Sequence, residues 1–204
     1  MLDKAATELI QPAVNTVARR LHGLGVGANA ITLAAFITGI GAALLVANSQ
    51  FMLGIALILV SRTLDALDGA VARLAVPTDA GGFLDITLDF LFYASIPLAF
   101  AFANPLQNAL PAAVLLAAFV GTTSSFLAFA ALAAKRNLHS AAYPNKSFYF
   151  LGGLTEATET LACFLAMCIW PRYFPELAYG FAFLCAVTTS TRVVGGFLML
   201  RQQT

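Results

Sequence analysis

Four aspartates stand out by their spacing. Asp65 and Asp68 lie three residues apart near the end of one apolar stretch, and Asp85 and Asp89 lie four apart near the start of the next. At about 3.6 residues per turn, each pair occupies one face of a helix. Gly69 and Ala72 fall on the face of the first pair, and Gly82 on that of the second. A short loop over 74–81 joins the stretches, so the two helices are expected to be antiparallel neighbours with converging carboxylates. One acidic side chain at the centre of a membrane helix costs about 2.5–3.5 kcal/mol. Four close together repel one another and call for countercharge. Two divalent cations balance four carboxylates. Oxygen-only ligands suit Mg²⁺ or Mn²⁺ rather than zinc or copper. A pair of such ions is a recurring device for displacement at phosphorus. Arg73 and the small residues beside it suit a phosphate-bearing ligand.

The elements that position these residues are apolar helices. Hydrophobic residues make up 60% of the 204 and charged residues only 10%. A soluble domain carries about 45–50% and about 25%. These proportions exclude an ordinary water-soluble globule and a disordered chain. A net charge of +1 without a basic stripe argues against a nucleic-acid partner. No alternation of apolar and polar residues suggests a barrel. The three cysteines, Cys163, Cys168 and Cys185, lie in apolar runs and read as small buried hydrophobes.

No Asp, Glu, Lys or Arg occurs between Arg20 and Arg62 or between Asp89 and Lys135, and each gap is long enough for a helical hairpin. Polar breaks at 48–50 and 104–108 divide them. Spans are expected near 29–48, 51–73, 82–103, 109–134, 147–170 and 177–200. The fold class is therefore an all-α integral membrane protein of six transmembrane helices. Residues 1–24 precede them as an amphipathic helix along the membrane surface, with Leu2, Ile10, Val14, Val17 and Leu21 on its apolar side. The whole chain, 1–204, reads as a single membrane domain. Lys4, Arg19, Arg20, Arg73, Lys135, Arg136, Lys146 and Arg201 gather on one face of this topology, against Arg172 on the other. The positive-inside rule places that basic face, both termini and the aspartates at the cytoplasmic side. Tyr143, Trp170, Tyr173 and Tyr179 fall near span ends, as interfacial aromatics do.

Other intramembrane charges point to a second substrate. Arg62 lies one turn before Asp65, where it can pair with the carboxylates or bind an anion. Glu156 and Glu159 lie three apart early in the fifth span, with Gly152 on their face, and Arg192 lies in the sixth. The two acids can bind an acceptor or pair with Arg62 or Arg192. Lys135, Arg136, His139 and Lys146 crowd one loop, which reads as a basic loop beside anionic lipid or, alternatively, as cations for a phosphorylated acceptor such as glycerol phosphate or inositol phosphate.

The run Asp65-Ala-Leu-Asp68-Gly69-Ala-Val-Ala72-Arg73, followed after eight residues by Gly82-Phe-Leu-Asp85-Ile-Thr-Leu-Asp89, resembles the signature of the CDP-alcohol phosphatidyltransferase family. The six-span layout and the surface helix extend the likeness over the chain. One departure is Ala28-Asn29-Ala30-Ile31-Thr32, where many members have proline before the asparagine. Asn29 is still expected to cap the helix. The resemblance implies a bacterial or archaeal type of enzyme in the inner membrane. It moves a phosphatidyl group from CDP-diacylglycerol to a small alcohol or phosphoalcohol and releases CMP. It further implies that Asp65, Asp68, Asp85 and Asp89 hold two Mg²⁺ or Mn²⁺ ions. Gly69, Ala72, Arg73, Gly82, Asn29 and Thr32 would bind the CDP moiety, and Asp89 would be the general base. Arg62, Glu156, Glu159 and Arg192 are candidates for the acceptor pocket, and members commonly form homodimers. Two other classes compete on the same carboxylates: a cation-coupled transporter and a membrane prenyltransferase.

Overall fold

The computed structural model describes residues 2–136 and 153–201, with backbone alone over 2–10. The described residues form helices and no strand. They are α1 (Leu2–Gly23), α2 (Ala28–Ala47), α3 (Phe51–Leu74), α4 (Asp79–Ala103), α5 (Pro105–Lys135), α6 (Ala157–Ile169) and α7 (Phe174–Arg201), with a single 3₁₀ turn at Pro171–Tyr173. Each stop has a local cause. Ser49 takes a positive φ of 60° between α2 and α3. Thr78 caps α4 by accepting the Gly81 N–H, and Asn104 caps α5 ahead of Pro105.

Helices α2, α4, α5 and α7 are long and apolar enough to cross a membrane. Helix α3 is long enough at 24 residues, but its second half carries Arg62, Asp65, Asp68 and Arg73. The expected fifth span fares differently. Helix α6 begins at Ala157 rather than near 147 and runs 13 residues, about 20 Å of rise. Residues 153–156 before it are not helical, and 147–152, with Gly152, lie outside the described residues. His139, Tyr143 and Lys146 lie outside them too. Trp170, Tyr173 and Tyr179 are exposed around the turn between α6 and α7.

Helix α2 packs on both α3 and α4, α4 on α5, and α5 on α7, while α6 lies against α3. Close approach depends on small residues. Ala35, Gly39, Ala42 and Ala43 line the buried side of α2. The main core is aromatic: Phe100 stacks between Phe51 and Phe174, with ring centroids 5.6 and 4.4 Å away, and Phe92 meets Phe164 edge-on. Helix α1 adds a smaller cluster, in which Ala18 is buried with Ile31, Leu67, Ala70 and Val71. Val14 and Leu21 pack on that cluster, whereas Val17 is 43% exposed. Ala18 is small enough to let α1 approach α3.

Gly39 provides a test of this packing. A Cβ there would sit 2.5 Å from Phe92 Cδ2 and 2.9 Å from Ser61 Oγ. Gly39→Ala, a substitution that ordinarily favours a helix by about 1 kcal/mol, is expected to lower the melting temperature in detergent. Overpacking costs about 1–3 kcal/mol and outweighs the propensity gain.

Candidate active site

Helix α3 delivers Asp65 and Asp68 from its last turns, and α4 delivers Asp85 and Asp89 from its second and third. One carboxylate oxygen from each of Asp65, Asp68 and Asp85 lies within 4.8 Å of the others. Asp68 is only 4% exposed, and its Oδ2 is buried without a hydrogen-bond partner. An anionic oxygen in that position is strongly disfavoured unless a cation meets it. The three carboxylates offer hard oxygen ligands, so their chemistry fits a divalent metal of the Mg²⁺ or Mn²⁺ kind.

Asp89 stands outside that trio and is held by Arg62. The Arg62 Nη1 donates to Asp89 Oδ1 at 2.5 Å and lies 3.5 Å from Asp65 Oδ1. Its Nη2 donates to Ser61 Oγ at 3.2 Å, and Ser61 in turn donates to the Ala35 carbonyl at 2.8 Å. The guanidinium carbon sits 4.0 Å from the centre of the Phe92 ring. Arg62 therefore joins the carboxylates to the aromatic core through an ion pair and a cation–π contact. A narrow cleft lined by Thr32, Arg62, Asp65, Asp85 and Asp89 links the base of the site to α2.

Toward the α3–α4 loop the site is open. A Cβ added to Gly82 would meet nothing within 4 Å, and one added to Gly69 would meet only the Arg73 guanidinium at 3.4 Å. Arg73 is exposed and Ala72 half-buried. The glycine one residue earlier, Gly81, is absent from the set expected above. It precedes Asp85 by four residues and Asp89 by eight, so it too lies on their side of α4. A Cβ on Gly81 would come within 3.0 Å of Asn29 Oδ1 and 3.1 Å of Thr78 Oγ1. The repeated four-residue step was the available signal. Asn29 does not cap α2 as expected. Gly27 occupies the N-cap and Asn29 is already inside the first turn, where its side chain faces Gly81 instead. Thr32 is buried and donates to the Ala28 carbonyl at 3.1 Å.

A second, larger cavity of about 660 Å³ begins at Asp89. Glu156 and Arg192 line it, whereas Arg62 and Glu159 do not. Glu159 carries a buried Oε2 without a hydrogen-bond partner. The structure thus brings two of the four expected acceptor-pocket residues to one cavity and assigns Arg62 to the carboxylates.

Comparison with known proteins agrees with this arrangement. The profile of the family described as CDP-alcohol phosphatidyltransferase matches residues 26–193. Inner membrane protein YnjF of Escherichia coli (strain K12) is 48% identical over 201 residues, covering 98% of each chain. The fold is shared with phosphatidylinositol phosphate synthase (PgsA1) of Mycobacterium tuberculosis with CDP-DAG bound. That likeness has a TM-score of 0.72 at 18% identity, over 90% of this chain and 93% of that one. The same synthase in complex with manganese and citrate gives a TM-score of 0.72 at 19% identity, over 90% and 88%.

Removing the arginine tests the electrostatics. Arg62→Ala leaves Asp65 and Asp89 without their cation in a site where the Arg62 side chain is 11% exposed. Breaking a fully buried ion pair from one side costs about 3–5 kcal/mol, and this pair, whose carboxylates are partly exposed, is expected to lose less. Thermal unfolding in detergent without divalent ions is expected to show that loss, and Arg62→Lys a smaller one.

Proposed function

This chain belongs to the CDP-alcohol phosphatidyltransferase family, and from that premise we propose that it transfers a phosphatidyl group from CDP-diacylglycerol to an alcohol hydroxyl, releasing CMP. The observation that carries the reading is the trio of carboxylates within 4.8 Å, one of them with a buried, unpartnered oxygen. Supporting it is a shared fold with a synthase whose crystal structures contain CDP-DAG in one case and manganese in another.

In this reading Asp65, Asp68, Asp85 and Asp89 would hold two Mg²⁺ or Mn²⁺ ions, which when bound would supply positive charge against the pyrophosphate. Gly69, Ala72 and Arg73 on α3, Gly82 on α4, and Asn29 and Thr32 on α2 line the CDP site. The glycines let backbone approach the phosphates, and Arg73 meets them as a cation. Gly81 joins this set, since its lack of a side chain gives Asn29 room. Asp89 receives the proton of the acceptor hydroxyl. Arg62 occupies Asp89 Oδ1, so Oδ2 is the atom offered to that proton. Arg62 acts through Asp89 rather than on the acceptor. Positioning and electrostatic stabilisation supply most of the rate enhancement.

The membrane arrangement follows the same reading. The chain crosses the membrane six times, with α2, α3, α4, α5 and α7 as five of the crossings and α6 within the remaining one. Helix α1 lies along the surface. The charged half of α3 is tolerated because its acids face α4 and one another rather than lipid. Residues 1–204 act as one domain in the bacterial inner membrane, as a homodimer. The basic ends, both termini and the active site face the cytoplasm.

Three assays separate this reading from its rivals. CMP release from CDP-diacylglycerol identifies the transferase, pyrophosphate release from a prenyl diphosphate a prenyltransferase, and ion flux alone a transporter. Asp89→Asn is expected to abolish CMP release while the CDP-lipid still binds; full turnover would remove Asp89 as base. Asp68→Asn is expected to weaken Mn²⁺ binding, read by electron paramagnetic resonance of the ion. An unchanged affinity would remove Asp68 as a ligand.

A further inference from the structure

Helix α1 lies against the back of the turns that carry the first two aspartates. At about 100° per residue, Leu64, Leu67, Ala70 and Val71 fall on one side of α3, and Asp65, Gly69 and Ala72 on the other. Asp68 stands at the border between them. The side away from the carboxylates is the one that α1 covers. Ala18, fully buried, clusters there with Leu67, Ala70 and Val71 and with Ile31 of α2. Leu67 thus belongs to the α1 contact, while the next residue, Asp68, carries the buried, unpartnered oxygen. The exit from α1 is closed as well. Gly25 takes a φ of 78°. Its N–H donates to the His22 carbonyl and the Val26 N–H to the Leu21 carbonyl, each at 3.0 Å. Such a left-handed glycine end fixes how α1 leaves toward α2.

The outer side of α1 offers a different surface. Ala13 and Val17, four residues apart, share one side of the helix, and Leu24 follows just beyond its end. All three are exposed, and so are Arg19 and Arg20 beside them. An apolar strip flanked by arginines suits the boundary between lipid headgroups and acyl chains. Helix α2, which starts soon after, is long and apolar enough to cross a membrane. Helix α1 is therefore held from two sides, by α3 and by lipid. At Ala18 a larger side chain must lift α1 from α3. Metal ligation is sensitive to such a shift, because ligand distances are tolerated only within about 0.2 Å.

We propose that α1 supports the metal site from behind: seated on lipid through Ala13 and Val17 and on α3 through Ala18, it fixes the turn that carries Asp68, so that displacing α1 from either surface lowers the affinity for a divalent cation. Ala18 is a positioning residue that acts through Asp68. The proposal rests on the metal part of the transferase reading above. Its test uses the full chain in phosphatidylcholine nanodiscs, with Mn²⁺ alone as the probe and the free ion counted by electron paramagnetic resonance. Ala18→Leu is expected to weaken Mn²⁺ binding roughly three- to tenfold, short of the loss of about 10–100-fold when a ligand loses its hydrogen-bonding partner. Leu21→Ala loosens the same contact without overpacking it, and a smaller loss in the same direction is expected. Val17→Gln, altered on the lipid side alone, is expected to weaken binding too. Gly54→Ala controls for stability. Its Cβ would lie 2.8 Å from Val46 Cγ2, about 21 Å along α3 from Asp68. It is expected to lower the melting temperature and keep the Mn²⁺ affinity. Affinities that track melting temperature in all four variants overturn the proposal. Unchanged affinity in both Ala18→Leu and Leu21→Ala overturns the support by α1, and unchanged affinity in Val17→Gln overturns the lipid seat; either leaves the transferase reading standing. Absence of Mn²⁺ binding by the unaltered protein overturns the metal reading as well.

Discussion

One guanidinium decides how this bundle tolerates its own chemistry. Arg62 reaches from α3 to Asp89 on α4, lies against Asp65, and rests on the Phe92 ring. Four carboxylates among apolar helices would otherwise repel across the contact that holds α3 to α4. The arginine reduces that repulsion and splits the group. Asp89 is paired with Arg62, while Asp65, Asp68 and Asp85 lie together. The carboxylate held by that contact, Asp89, is also the one that lines the large cavity.

The neighbouring packing follows from that constraint. Arg62 keeps its orientation because Ser61 bridges it to the α2 backbone and because the Phe92 ring lies beneath it. Phe92 in turn reaches this position only because Gly39 of α2 has no side chain. A glycine on one helix, a ring on a second and an arginine on a third thus form one coupled unit. Farther along the bundle the contacts are apolar and aromatic, around Phe100. Polar chemistry and apolar packing occupy opposite stretches of the same two helices. A rigid apolar part can then hold a charged part that prefers to separate.

Substrate access follows the same division. Near the α3–α4 loop, small residues and the exposed Arg73 leave an open polar mouth suited to a nucleotide. On the other side of Asp89, a larger and mainly apolar cavity reaches toward Arg192 and Glu156. Asp89 lines both this cavity and the narrow cleft among the carboxylates. Glu156 and Arg192 both line this second cavity.

The residue types and their periodicity determined much of this protein. A composition of 60% hydrophobic residues demanded apolar helices, and the uncharged gaps around 48–50 and 104–108 located four of them within a few residues. Helical spacing alone put Asp65 with Asp68 and Asp85 with Asp89. Only the tertiary structure decided how those faces meet. Spacing along a helix cannot reveal an ion pair between residues 27 apart, such as Arg62 and Asp89. Nor could it separate Glu156 from Glu159, because a non-helical stretch at 153–156 breaks the periodicity that would have placed them together. The cap expected at Asn29 fell to Gly27 for a related reason. The Asn29 side chain turns instead toward Gly81, a residue that leaves room for it and lies elsewhere in the chain.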